Sequence, residues 1–297
     1  MIENDWFGEL VKKRIRAMGI SDKDVAISRI RSKAGVHVFK LVIEGVSYVM
    51  KYYENDEDSR EIKNYEILES LGVPILKKYG VTSDSILIEH IDSRENFRLG
   101  TLDDLKNPKV AKAIAQWYKK LHNAGNRYNN LDNMYFEYDN LTVENLHFIM
   151  EKSNTGNLEF WEYLFKNLSE LGTAISNLEY TFTYNDFFWT NMAVSYDYSK
   201  VIMFDYNLLG RGYRYADIRN VCSILSREAT AVYLEEYGSI STREMVIDEA
   251  VSDLHTLIEA YSRDEFPAWA ESSLNKLLSG KSHNKLEAAL EMYKLEI

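Results

Sequence analysis

The chain has 297 residues, 45% of them hydrophobic and 27% charged, which is the balance of a soluble globular protein long enough for two domains or one lobed enzyme. A net charge of −11 argues against a role centred on nucleic-acid phosphates, and no apolar run approaches the length of a membrane span. The lone Cys222 cannot form an intramolecular disulfide, and the opening MIENDWFGEL lacks the basic-then-apolar pattern of a signal peptide, so both point to the cytoplasm.

In chain order, residues 3–18 put Phe7, Leu10, Val11, Ile15 and Met18 on one helical face, with acidic residues first and basic ones last, as a packing helix requires. Residues 25–31, 37–44 and 47–53 then read as an antiparallel meander. The first turn, Ser32-Lys33-Ala34-Gly35-Val36, is small enough for its backbone to approach a phosphate. In Tyr48-Val49-Met50-Lys51-Tyr52-Tyr53 a lysine interrupts an apolar strand on the face shared with Val49 and Tyr53. A glutamate on the following helix, residues 59–71, could brace such a lysine over nucleotide phosphates. Glu61 and Glu66 are the two candidates, and the helix stops at Gly72 with Pro74 beyond.

Residues 85–91, SILIEHI, form a buried strand, and beyond them the pattern turns mostly helical. The lobe boundary is therefore set near residue 91, giving an N-terminal lobe of 1–91 and a C-terminal lobe of 92–297. If the chain binds a nucleotide for phosphoryl transfer, backbone groups around Ile88 and His90 would face its adenine. Residues 109–123 are an amphipathic helix, residues 124–145 a long loop with little regular structure, and residues 146–152 and 158–177 two further helices. After residue 217 the chain reads as helical over 218–228, 229–237, 242–263, 267–279 and 284–295, with Cys222 in the first of these as a buried, inert thiol.

The central stretch is residues 181–217. Asp186 and Asn191 stand in the spacing D-x-x-x-x-N, followed by apolar Met192-Ala193-Val194, a polar loop, and a second apolar run that ends at Asp205. Two such runs read as a β-hairpin, whose closure brings Asn191 and Asp205 together. Hard oxygen ligands of this kind suit Mg²⁺, which takes the rest of its shell from water and substrate phosphates. The pattern matches the phosphoryl-transfer template, in which an Asp accepts the hydroxyl proton while an Asn and a later Asp hold the metal.

With these residues assembled, the chain resembles the aminoglycoside phosphotransferase and choline kinase family over roughly residues 22–225. S-K-A-G-V-H-V-F-K-L is similar to its nucleotide loop, ILIEHI to its hinge, and Leu121-His122 to the end of a C-lobe helix. The catalytic loop Y-N-D-F-F-W-T-N resembles the family's H-G-D and H-N-D forms, with Tyr184 in place of a structural, hydrogen-bonding histidine. Tyr213-Arg214 and Asp217-Ile218-Arg219-Asn220 resemble the choline kinase stretch Y-R…D-I-x-N, and Gly210-Arg211 a pair in some aminoglycoside kinases.

The resemblance implies an α+β, bilobal protein-kinase-like fold, with a small antiparallel-sheet N-lobe carrying one helix and a mainly helical C-lobe. It implies ATP or GTP as phosphoryl donor, with Ser32, Gly35, Lys51, Glu61, Ile88 and His90 at the nucleotide. Glu61 fits the family spacing better than Glu66. It further implies Mg²⁺ on Asn191 and Asp205, and Asp186 as the catalytic carboxylate. The acceptor it implies is a hydroxyl of a small, cationic molecule: an aminoglycoside, choline or ethanolamine, with other small alcohols also open. A catalytically inactive kinase-like binding protein is the alternative. No nucleic-acid or membrane partner is expected, and the oligomeric state is not legible.

Overall fold

The structure, a computed structural model, describes residues 2–296. Its elements begin with helix α1 (Ile2–Ala17), strands β1 (Ala26–Lys33), β2 (Val36–Ile43) and β3 (Val46–Tyr53), helix α2 (Asp56–Ser70), and strands β4 (Lys78–Val81), β5 (Ser85–Glu89) and β6 (Phe97–Leu99). Next come α3 (Pro108–Gly125), β7 (Tyr135–Phe136), α4 (Val143–Lys152), α5 (Glu159–Ser176), β8 (Thr181–Thr183), β9 (Met192–Ser195), β10 (Val201–Met203) and β11 (Gly210–Gly212). The remainder is helical: α6 (Arg214–Cys222), α7 (Arg227–Tyr237), α8 (Thr242–Tyr261), α9 (Glu271–Leu278) and α10 (Lys281–Glu296).

The residues divide into two compact units. The first runs to Arg127 and takes in Tyr184–Leu209 and Val221–Tyr237; the second comprises Tyr128–Thr183, Gly210–Asn220 and the chain from Gly238 onward.

In the first unit a five-stranded antiparallel sheet has the order β1-β2-β3-β5-β4. Both turns of the β1–β3 meander are two-residue reversals with positive φ at each centre: Ala34 (+49°) with Gly35 (+78°), and Glu44 (+50°) with Gly45 (+80°). That type I′ geometry matches the twist of the flanking strands, and glycine adopts it at no steric cost. Side chains alternate across the sheet. Phe39, Leu41, Met50 and Leu87 pack with Val11 and Ile15 of α1 into one core, while Lys51 and Tyr53 are buried on the opposite side. Helix α2 buries Ile62, Tyr65 and Leu68. It ends where Gly72 takes φ +72° and the Val73 N–H reaches back to the Leu68 carbonyl.

The expected hairpin is β9–β10, paired antiparallel with Met192 opposite Met203, and β6 adds a third strand beside β9. α3 and α7 also belong to this unit. Their ends are tied by a hydrogen bond between His122 Nδ1 and the Tyr237 hydroxyl, 2.7 Å.

The second unit is built on α4, α5, α8, α9 and α10, around Leu146, Trp161, Leu164, Val251, Leu254 and Leu290. A small sheet of order β7-β11-β8 sits against this core. Residues 124–145 are not a largely irregular loop: they hold short 3₁₀ turns and β7, which runs parallel to β11, and Tyr138 is buried. The first helix after residue 217 is also not continuous over 218–228. α6 ends at Cys222, and a new helix begins at Arg227 after Ser226, whose hydroxyl accepts from the Ala229 N–H at 3.3 Å. Cys222 is half-buried, and burial pushes its thiol up to about 11, which leaves it protonated and unreactive. No helix among the described residues is long and apolar enough to cross a membrane.

Candidate active site

Lys51 is fixed by strand alternation. With Met50 committed to the α1 side of β3, Lys51 must face α2, where Glu61 lies in the second helical turn. Its Nζ donates to both Glu61 oxygens, at 2.8 and 2.9 Å, and to Asp205 Oδ1 at 2.9 Å. Glu61 is 1% exposed and accepts two further bonds, from the Tyr53 hydroxyl at 2.6 Å and the Tyr206 N–H at 3.1 Å. Burial works against the Lys51 charge, but Glu61 and Asp205 together outweigh it and hold the ammonium protonated. Burial also raises the Glu61 carboxyl above its ordinary range, while Lys51 and Tyr53 pull the other way. A buried pair with this many donors is the arrangement that offsets the cost of desolvation. Glu66, the other candidate, instead approaches Lys78 at 3.8 Å at the surface.

Asp205 follows β10 in the left-handed region, at φ +68°. That turn swings its carboxylate out of the hairpin toward Lys51, and Tyr206 and Asn207 are anchored immediately after it. Asn64 of α2 donates to the Tyr206 carbonyl at 2.7 Å, and Arg60 to the Asn207 carbonyl at 2.5 Å. The helix that carries Glu61 therefore also holds the backbone beside Asp205.

The Asp186–Asn191 loop closes on itself. Asn191 Nδ2 donates to Asp186 Oδ2 at 2.8 Å and to the Asp186 carbonyl at 3.3 Å, and the Asn191 N–H bonds the Phe188 carbonyl at 3.0 Å. The hairpin joins it to the Asp205 side, since the Phe204 N–H donates to the Asn191 carbonyl at 3.0 Å. Tyr184, where the resemblance places a histidine, is fully buried against Trp117, Tyr118 and Tyr206. Its hydroxyl donates to the Phe204 carbonyl. Tyr184 thus links the Asp186–Asn191 loop to the residue before Asp205, the structural hydrogen-bonding role that the resemblance gives to a histidine. Burial, then the nearby Asp205 carboxylate, raise Asp186 to about 6, with Lys51 and Asn191 opposing.

A cavity of about 300 Å³ opens beside these groups, lined by Lys51, Asn191 and Asp205 at its polar end and by Val38, Val49, Leu76, Ile88 and Phe204 among its apolar walls. A pocket with apolar walls and a few convergent polar groups is the usual form of a small-molecule site. Ile88 and His90 both line it. Ser32 and Gly35 are at the hairpin tip: the Ser32 hydroxyl is hydrogen-bonded to His37 Nδ1 at 2.5 Å, and the Gly35 carbonyl accepts from the Glu54 N–H at 2.9 Å. Arg31, Leu76, Thr190 and Phe204 are lining residues that sequence reading did not single out. Leu76 follows Pro74 outside any regular element, so no periodicity marks it.

The donor set fits Mg²⁺. With Asn191 Nδ2 turned to Asp186, its Oδ1 faces the other way, and Asp205 keeps Oδ2 beyond the oxygen bound by Lys51. No group of three or more His, Cys, Asp or Glu side chains among the described residues could hold a metal unaided. Two protein oxygens are too few for a closed cage but enough for an ion completed by water and phosphates.

No family model matches the chain, and no curated protein sequence matches it. Solved structures do. The chain is similar to choline kinase LicA from Streptococcus pneumoniae, with 14% identity and TM-score 0.65 over 92% of this chain and 98% of that one. It is similar to a choline/ethanolamine kinase family protein from Mesorhizobium loti, with 14% identity and TM-score 0.64 over 96% and 98%. Macrolide 2′-phosphotransferase MphH from Brachybacterium faecium matches at 11% identity and TM-score 0.59 over 92% and 98%. At these identities the likeness concerns the fold: the chain has the α+β fold that these kinases and this phosphotransferase share, as the resemblance implied.

Proposed function

We propose that the protein is an ATP- or GTP-dependent phosphotransferase that phosphorylates a hydroxyl of a cationic small molecule. The observation that carries this reading is the Lys51 ammonium held between Glu61 and Asp205 at the cavity that Asn191 also lines. The similar folds include choline kinases and a macrolide phosphotransferase, and both classes act on small molecules that bear hydroxyls. Residues 1–91 would then form a nucleotide-binding lobe and residues 92–297 a catalytic and substrate-binding lobe, in the cytoplasm, where nucleoside triphosphate and a reduced thiol coexist.

In this reading Lys51, fixed by its two carboxylate partners, contacts the nucleotide phosphates. Asn191 and Asp205 are the residues that would hold Mg²⁺, whose charge neutralises the phosphate oxygens. Asp186 receives the acceptor's hydroxyl proton on the oxygen that Asn191 leaves open. A carboxyl raised to about 6 is mostly ionised at neutral pH yet more basic than an ordinary Asp, which is the compromise a general base needs. The apolar walls exclude water from the nucleotide, so positioning and charge supply most of the acceleration.

An ADP-release assay across aminoglycosides, choline, ethanolamine and sugar alcohols tests the reading. One or more acceptors should raise ADP release in wild type and none in Asp186→Ala. Equal release by both proteins would remove Asp186 from the chemistry. Nucleotide binding with no acceptor-dependent release would favour a binding protein.

A further inference from the structure

The hairpin over the cavity lacks the device by which glycine-rich loops hold phosphate. In such loops successive backbone N–H groups point at the ligand. Here the β1–β2 ladder pairs as far as Lys33 with Val36, directly beside the two-residue turn. A Cβ at Gly35 would stand 2.9 Å from Asn55 Nδ2, so the tip lies close against the Glu54–Asn55 segment. Backbone up to the turn is committed to the strand ladder rather than to a ligand, and only Ala34 and Gly35 lie between the two strands.

The charges compound the problem. Lys51, a single ammonium, faces three carboxylates: Glu61, Asp205 and Asp186. A nucleotide adds further negative charge, and a divalent metal cancels part of it. Some other cation must face the phosphates if they are to be held here.

β1 provides one by an irregularity. Its register passes from Arg29 opposite Phe39 to Arg31 opposite Val38, which leaves Ile30 unpaired as a bulge. A bulge interrupts the alternation of a strand and re-aims the side chains beside it. As a result Ile30 and Arg31, though adjacent, both line the cavity with Lys51 and Asp205. Two other arginines of this unit are engaged: Arg94 with Glu89 at 3.0 Å and Arg98 with Asp104 at 2.7 Å. The Arg31 guanidinium has no hydrogen-bond or ion-pair partner among the described residues.

We propose that Arg31 is a nucleotide-binding residue that contacts the phosphates from β1, taking over the work of loop amides. The inference rests on the nucleotide-dependent reading above and extends it to a residue that the sequence motifs leave unassigned. A guanidinium presents two parallel N–H groups to phosphate oxygens, which an ammonium cannot.

The test is a pair of equilibrium titrations, with MgATP and with adenosine, on wild type, Arg31→Ala and Arg31→Lys. Arg31 is exposed, so each variant should unfold at the wild-type temperature, and that is checked first. Arg31→Ala should bind MgATP about tenfold or more weakly, the scale of one charge-assisted contact, and adenosine unchanged. Arg31→Lys should fall between. MgATP binding equal to wild type would overturn the inference and leave the kinase reading standing. An equal loss for MgATP and adenosine would also overturn it, because the contact would then be to the base or sugar. A wild type that binds neither ligand, nor MgGTP in the same titration, would overturn the nucleotide reading and this inference together.

Discussion

Asp186 has two consequences of opposite sign. Its folded pKa, about 6, lies above the ordinary value of 3.8 because burial and Asp205 disfavour its charge. The folded chain therefore binds this proton more tightly than the unfolded chain, and the group favours folding at low pH; that contribution fades as pH rises through 6. Asp186→Asn should accordingly raise the melting temperature at pH 8 and leave it unchanged below pH 4, while turnover is lost. As the proposed base, Asp186 would act only when ionised, so kcat/KM of wild type should fall about tenfold per pH unit below 6. A flat profile from pH 5 to 8 would contradict the assignment. Tyr184 is read differently. Its hydroxyl bond to the Phe204 carbonyl predicts that Tyr184→Phe loses about 1–2 kcal/mol in denaturant titration, the usual cost of an unsatisfied buried partner. Lys51, Glu61, Asp186, Asn191 and Asp205 were legible because each is a polar residue set against an apolar pattern at a known spacing. Arg31 was not, because a bulge decides where it points and no sequence pattern announced one.

At the level of elements, backbone closeness explains Gly100. It follows β6, and its N–H donates to the Met192 carbonyl at 2.7 Å. A Cβ at this position would stand 2.5 Å from the Trp189 carbonyl oxygen and 3.0 Å from that of Met192. Both are backbone atoms, one in the loop between Asp186 and β9 and one in the first residue of β9, and neither can turn aside as a flexible side chain would. Gly100→Ala should therefore displace the loop and lower kcat more than nucleotide affinity. Gly172 provides the contrast. It is exposed inside α5, with nothing within 4 Å of an added Cβ, so Gly172→Ala should stabilise by about 0.5–1 kcal/mol without affecting activity. The meander, α2 and the β9–β10 hairpin were legible from alternation, helical periodicity and glycine at turns. β4 was missed because Lys-Tyr-Gly-Val is short and interrupted by a register shift at its middle. β7 was missed because two residues carry no period, and their parallel partner β11 lies more than 70 residues away.

For the molecule as a whole, one set of contacts ties sequence-distant pieces into a single device. Lys51 of β3, Glu61 of α2 and Asp205 after β10 meet within direct bonding distance, and α2 also holds the backbone at Tyr206 and Asn207. The resting ammonium is thus already bonded to the carboxylate that would bind the metal. Nucleotide with Mg²⁺ should tighten this arrangement, whereas nucleotide alone adds negative charge beside Asp205 and Asp186. A ligand at one hundred times its Kd stabilises the folded chain by about 2.7 kcal/mol, enough to read as a shift of several degrees. The most direct measurement is therefore thermal unfolding of wild type and Asp205→Ala with ATP or GTP, with and without Mg²⁺. Wild type should be stabilised by nucleotide in a manner that depends on Mg²⁺, and Asp205→Ala should lose that dependence. No stabilisation of wild type by either nucleotide, or an equal Mg²⁺-dependent shift in both proteins, would contradict the account.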